Sequence, residues 1–203
     1  DTLGVAGGNL DLATNTPSFT NNSAVKVLAN ATFHAGITNA GTFYYAGTGA
    51  QNIGAVTYGD LRLGGSGGKT LPNGGTVAET GTYTIDGGTG ARTYTANTFQ
   101  FAGTGGTQTI SGLSETFNLL QFAGGAAKTL NGTTLGAARV DILGTSGTVT
   151  NNLTNFNVTN ISAISFTVAS GATFIQGSGT LTTTGGDFEN DGTVENNGTI
   201  TVN

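Results

Sequence analysis

Thr98-Phe99-Gln100-Phe101-Ala102-Gly103-Thr104-Gly105, followed by Gln108-Thr109-Ile110 and then Lys128-Thr129-Leu130, repeats a phrase met earlier in the chain. The earlier copy is Thr42-Phe43-Tyr44-Tyr45-Ala46-Gly47-Thr48-Gly49, then Gln51-Asn52-Ile53, then Lys69-Thr70-Leu71. The copies lie about 57 residues apart with a drift of one or two, as stacked units with small loop insertions would. Finer spacings divide that echo. Phe156 to Phe174, Phe174 to Val194 and Leu181 to Ile200 are each separated by roughly 18 to 20 residues, about a third of the long offset.

The text between these anchors is a run of short strands. A Gly-Thr-apolar phrase recurs at Gly41-Thr42-Phe43, Gly75-Thr76-Val77, Gly147-Thr148-Val149, Gly179-Thr180-Leu181, Gly192-Thr193-Val194 and Gly198-Thr199-Ile200. Each gives a permissive turn, a β-branched residue and an apolar side chain. In triplets such as Leu61-Arg62-Leu63, Tyr83-Thr84-Ile85, Phe99-Gln100-Phe101 and Phe166-Thr167-Val168, the outer residues share one face and the middle one points away. A coil of about 19 residues with three such strands is the geometry of a parallel β-helix. The fold expected is all-β: a right-handed parallel β-helix (β-solenoid) of about ten coils, with three short strands per coil. Residues 1–30 fit the repeat poorly and read as an N-terminal cap or subunit-linking extension, with the solenoid over residues 31–203. An antiparallel sandwich would account for the composition but not for the echo.

Composition agrees with this architecture and excludes other classes. Among 203 residues there are 36 glycines, two prolines, no Cys, Met or Trp, and only 8% charged residues. The net charge of −5 and the lack of a basic patch argue against nucleic-acid binding. No run is long and apolar enough for a membrane-spanning helix. A chain that begins at Asp1 and contains no Met is read as a processed product, secreted after signal cleavage.

The Gly-Thr-apolar phrases, the Asn/Gly corners and the missing cysteine resemble bacterial secreted β-solenoid proteins, notably the passenger regions of autotransporter and filamentous-haemagglutinin-type adhesins. The resemblance runs from about Ala31 onward and rests on repeat style. It implies a location outside the cell or on its surface and an adhesive or scaffolding role, and it carries over no catalytic residue.

Chemistry is sparse. Gly68-Lys69-Thr70 suggests a phosphate loop, but Leu63 stands where the first glycine belongs, Ala127 replaces the glycine in the second copy, and no helix follows. The reading preferred is an inter-coil corner with a solvated lysine. Asp187, Glu189 and Asp191 alternate on one face, with Glu195 nearby, and form a weak Ca²⁺ candidate; no other cofactor is implied. Asp60 with Arg62 and Arg139 with Asp141 read as exposed salt pairs rather than catalytic dyads. His34 has no acid or nucleophile at a recognisable spacing. No catalytic residue is assigned, and the chain is read as not an enzyme, with a polysaccharide-active β-helix as the catalytic rival. Thr-x-Thr runs such as Thr82-Tyr83-Thr84 do not recur at the coil period, so they make no flat ice-binding face.

The repeat grammar continues to Val202, which would leave an apolar column and unpaired backbone at that end. The function expected is a secreted structural subunit that assembles head-to-tail into an extracellular filament or matrix, with an adhesive role. The alternative is a fragment of a larger surface solenoid adhesin. Leu3, Val5, Leu10, Leu12 and Phe19 at one end, and Val194, Ile200 and Val202 at the other, are the expected subunit contacts. The expected partners are further copies of the chain and cell-surface or matrix glycans.

Overall fold

The computed structural model describes residues 2–5, 9–12, 19–33, 37–94, 97–111, 114–160 and 163–203, with side chains described at 20, 22–29 and 40 onward within those spans. It is all-β, a parallel β-solenoid of about eight turns, with no helix among the described residues. The chain divides into two compact units, residues 1–97 and 98–203. The two copies of the echo fall one in each.

In the first unit, strand Ile37–Tyr45 pairs in parallel with Ala24–Val27 on one side and Thr57–Leu63 on the other, and Tyr83–Ile85 follows on Thr57–Leu63. Phe43 thus stacks on Val25 and Leu61, and Leu61 on Tyr83; all four are buried. The triplet alternation is as the sequence suggests, with Leu61 and Leu63 inward and Arg62 exposed. Two tyrosine pairs close polar contacts inside this core: Tyr45 and Tyr58 hydroxyls lie 3.1 Å apart, and those of Tyr83 and Tyr94 lie 2.7 Å apart. Burial raises the Tyr45 and Tyr58 phenols well above their ordinary value, so both are neutral donors here. Within residues 1–30, Thr2–Val5 pairs with Ala24–Val27, Asn9–Leu12 with Asn30–Phe33, and Phe19–Asn21 with Ile37–Asn39, all in parallel.

The second unit carries a column of its own. Phe99, Leu120, Val140, Phe166 and Phe188 stand in register on successive coils, with Phe101, Phe122, Ile142 and Val168 alongside. Rings meet at favourable offsets: the ring centre of Phe166 lies 5.1 Å from that of Phe174 and 5.0 Å from that of Phe188, the latter stacked and nearly parallel at 5°. The outward column is polar. Gln100 donates to Gln121 at 3.1 Å, and Gln121 donates to Asp141 at 3.3 Å, an amide ladder ending on a carboxylate.

The coil length is not uniform. Two of the spacings read from sequence are true registers, Phe174 with Val194 and Leu181 with Ile200. The third is not, because Phe156 pairs with Leu181 and Phe174 pairs with Val149. The registers Val140–Phe166 and Val149–Phe174 are six or seven residues longer than the expected 19 or so. Longer coils lower the turn count to about eight.

Phe166 sits among Phe156, Phe174 and Phe188, so replacing it leaves a void that rigid neighbouring coils cannot fill. Phe166→Ala is expected to cost about 3–5 kcal/mol in urea unfolding; a loss below about 1 kcal/mol would contradict the packed column.

Candidate functional site

The echo encodes a structural corner, built twice. In the first unit the Gly47 amide donates to Gln51 Oε1 at 2.7 Å, and the Gly47 carbonyl accepts from the Gly67 amide at 3.2 Å. In the second, the Gly103 amide donates to Gln108 Oε1 at 3.1 Å, and the Gly103 carbonyl accepts from the Ala126 amide at 3.0 Å. Gln51 is in register with Lys69, and Gln108 with Lys128. The lysine of each pair turns inward and gives its ammonium to backbone carbonyls. Lys69 Nζ reaches Gly67 O at 2.6 Å and Gly47 O at 3.3 Å. Lys128 Nζ reaches Ala126 O at 2.7 Å, Gly124 O at 2.9 Å, Gly103 O at 3.2 Å, and the Ala123 carbonyl.

The glycines of the echo have a matching role. Gly65 and Gly124 adopt φ of 70° and 69°, and a Cβ on either would lie within 2.5 Å of the carbonyl oxygens of Ala46 and Gly47, or of Ala102 and Gly103. Only glycine lets the backbone turn that closely over the coil below. That turn points several carbonyls at one spot, where unsatisfied acceptors would be costly, and the lysine supplies three donors. The expectation of a solvated lysine is therefore corrected: Lys69 is 1% exposed and Lys128 is 0% exposed. The corner consumes its own charge and presents no cradle to a phosphate.

Burial lowers both lysines, Lys128 to about 8. No charged side chain contributes to that shift; the cause is loss of water around the ammonium. The folded state releases the Lys128 proton near pH 8, whereas the unfolded chain holds it to the ordinary 10.5. Between those values the unfolded state binds more protons, so folding stability rises with pH.

The other chemistry-bearing residues are dispersed. Arg62 does not pair with Asp60. It bonds Asp86 at 2.9 Å, and Tyr44 donates its hydroxyl to the same carboxylate at 2.6 Å. The Arg62 guanidinium also lies 4.5 Å from the Tyr44 ring centre, with Lys26 at 5.7 Å on the same ring. Burial pushes Asp86 up, but the bonds from Tyr44 and Arg62 outweigh it and hold the carboxyl below its usual value. Asp60 instead accepts from Thr42 Oγ1 and the Thr82 amide. Arg139 and Asp141 do pair, at 2.8 Å. Asp187, Glu189, Asp191 and Glu195 are all exposed on the last coil, and no group of three or more metal-ligating side chains converges among the described residues. His34 and the side chains of Leu3, Val5, Leu10, Leu12 and Phe19 lie outside the described residues.

The last coil differs from the rest. Its strands Asp187–Asn190, Thr193–Asn196 and Thr199–Val202 lie in parallel register on the preceding coil. Phe188, Val194 and Ile200 are its inward residues, stacked on Phe166, Phe174 and Leu181. Those three supports are fully buried, whereas Phe188, Val194 and Ile200 remain partly exposed and Val202 is 54% exposed. A buried amide ladder also reaches this coil: Asn151 donates to Gln176 at 2.9 Å, and Gln176 is in register with Asn196. Comparison of the chain with protein-family models, with curated proteins and with solved structures gives no match.

Lys128→Met keeps the length of the side chain and removes the ammonium from four carbonyls. It is expected to lower stability by about 1–3 kcal/mol at pH 7. The difference between wild type and variant in thermal unfolding should then widen as pH rises from about 8 to 10.5. A difference that is flat with pH would show that the lysine is not held at the lowered value.

Proposed function

We propose that this chain is a non-catalytic structural subunit acting outside the cell, joining head-to-tail with further copies of itself into a filament or matrix. In this reading the coils wind right-handed, as parallel crossovers overwhelmingly do, with three strands to each coil. The observation that carries it is the in-register stacking itself: Phe188, Val194 and Ile200 continue the columns of Phe166, Phe174 and Leu181, and a further coil, supplied by another copy, would continue the same columns. A coil edge offers backbone donors and acceptors in a row, and it templates a further parallel coil as readily as it was itself laid down. A contact between unlike ends does not close, so it propagates. The resemblance of its repeat style to secreted bacterial adhesins is what supports the extracellular setting and an adhesive role.

Four exposed carboxylates sit on that same coil, Asp187, Glu189, Asp191 and Glu195, with no basic residue among residues 187–203. Their mutual repulsion opposes association at low ionic strength, when the Debye length is about 30 Å, and far less at about 8 Å in physiological salt. Sedimentation velocity is expected to show long assemblies that form faster as salt is raised, and Ile200→Asp should abolish them. A wild-type chain that stays a monodisperse monomer at high concentration and physiological salt would overturn the proposal. It would leave the reading as a segment of a larger surface solenoid, in which further coils cover the same face.

A further inference from the structure

The chain contains three Asn-Gly pairs, Asn73-Gly74, Asn131-Gly132 and Asn197-Gly198. This dipeptide carries a reaction of its own. The glycine nitrogen can attack the asparagine side-chain carbon, because no Cβ on the glycine hinders the approach. The N–Cγ bond forms, the Cγ–Nδ2 bond breaks, and ammonia leaves with the proton that the glycine amide gives up. Water then opens the cyclic imide at either carbonyl. Opening at the main-chain carbonyl leaves the chain running through Cγ as isoaspartate, and opening at Cγ leaves aspartate. Only water is consumed. The reaction needs a glycine amide that is not already donating a hydrogen bond and a side chain free to swing onto it.

Two of the three pairs are held. Asn131 lies within strand Ala127–Ile142, in register with Ser111 on one neighbouring coil and Asn152 on the other. Its side-chain oxygen accepts from Asn152 Nδ2 at 3.3 Å. At the second pair the Gly198 amide donates to Asn196 Oδ1 at 3.1 Å, and the Asn197 amide donates to the Gln176 carbonyl at 2.8 Å. Gly198 is also pressed onto the coil beneath, since a Cβ there would lie 2.1 Å from the Gly177 carbonyl oxygen. Asn73 differs on every count. It is exposed in the turn Pro72-Asn73-Gly74-Gly75, between strands Lys69–Thr70 and Thr76–Glu79. Gly74 and Gly75 take φ of 89° and 76°, a backbone path that glycine follows without strain. Among the described residues no hydrogen bond holds the Asn73 side chain or the Gly74 amide. A Cβ on Gly74 would meet nothing within 4 Å. From this contrast we infer that Asn73 is a spontaneous deamidation site, converting to isoaspartate and aspartate in the folded protein while Asn131 and Asn197 are protected. The same open space lets the turn take the extra main-chain carbon of isoaspartate, so the strands on either side keep their register. The product adds one carboxylate to a chain of net charge −5.

This inference does not depend on assembly, because the turn lies within one unit of one chain. The test is a timed incubation of the intact chain in mildly alkaline buffer, followed by peptide mapping with fragmentation that separates isoaspartate from aspartate. The Asn73 peptide is expected to gain the mass difference between amide and acid, with both isomers present. Its rate should exceed those at Asn131 and Asn197 by at least about tenfold, because the held pairs react only in their locally opened fraction. The same incubation in concentrated urea should bring all three rates to within a few-fold of one another, since the dipeptide is then the same and the coils are gone. Asn73→Gln should remove the fast product and leave thermal unfolding unchanged. Deamidation at Asn73 no faster than at the other two in the folded chain would overturn the inference. So would a rate at Asn73 that rises on unfolding as much as theirs do.

Discussion

Every coil of this protein must hand its backbone hydrogen bonds and its inward side chains to the coil beside it. Parallel pairing supplies the first, and stacked columns such as Phe99–Leu120–Val140–Phe166–Phe188 supply the second. The same rule makes the corners the difficult places. Where the backbone turns within van der Waals contact of the coil below, carbonyls crowd together and cannot all join the ladder. The Gln51–Lys69 and Gln108–Lys128 corners meet that demand with one amide and one ammonium each. Glycine at 65 and 124 makes the approach possible, so the glycine content and the rare lysines belong to one solution.

That solution also shows which parts of the molecule the sequence could reveal. Triplets such as Leu61-Arg62-Leu63 announced their alternation because the side-chain period of a strand is local. Phe174 with Val194 and Leu181 with Ile200 gave the right register because the terminal coils are short and regular. Phe156 was matched to the wrong partner because an insertion lengthens the coil there, and insertions leave no mark on hydrophobic period. Lys69 and Lys128 were placed outside because lysine is ordinarily a solvated residue; its recurrence one coil after a glutamine in both copies of the echo was the available signal. Arg62 found Asp86 rather than Asp60 because its partner across the coil sits 24 residues away, beyond any local pattern. The three Asn-Gly pairs are identical as dipeptides, and only the bonds around Asn131 and Asn197 set Asn73 apart.

Function follows from what the fold leaves uncovered. The interior chemistry is spent on holding coils together, with buried lysines bonded to carbonyls and buried tyrosines bonded to each other. The outer columns carry amides, threonines and occasional ion pairs, and several of them, such as Gln100–Gln121–Asp141 and Arg62–Asp86, bond from one coil to the next. Two places stand apart: the turn at Asn73, where no described residue bonds the side chain, and the last coil, where Phe188, Val194 and Ile200 are arranged as core but remain partly exposed. In the proposed assembly, the acidic residues beside them would make association depend on ionic strength as well as on apolar area.

The central claim is that the last coil is a template for another coil. Amide hydrogen exchange of the intact chain, followed across a concentration series in physiological salt, tests it directly. The account predicts that the outward-pointing amides of 187–190, 193–196 and 199–202 gain protection as concentration rises, while those of 127–142 exchange at the same slow rate throughout. Exchange of the last coil that is unchanged at every concentration would contradict it.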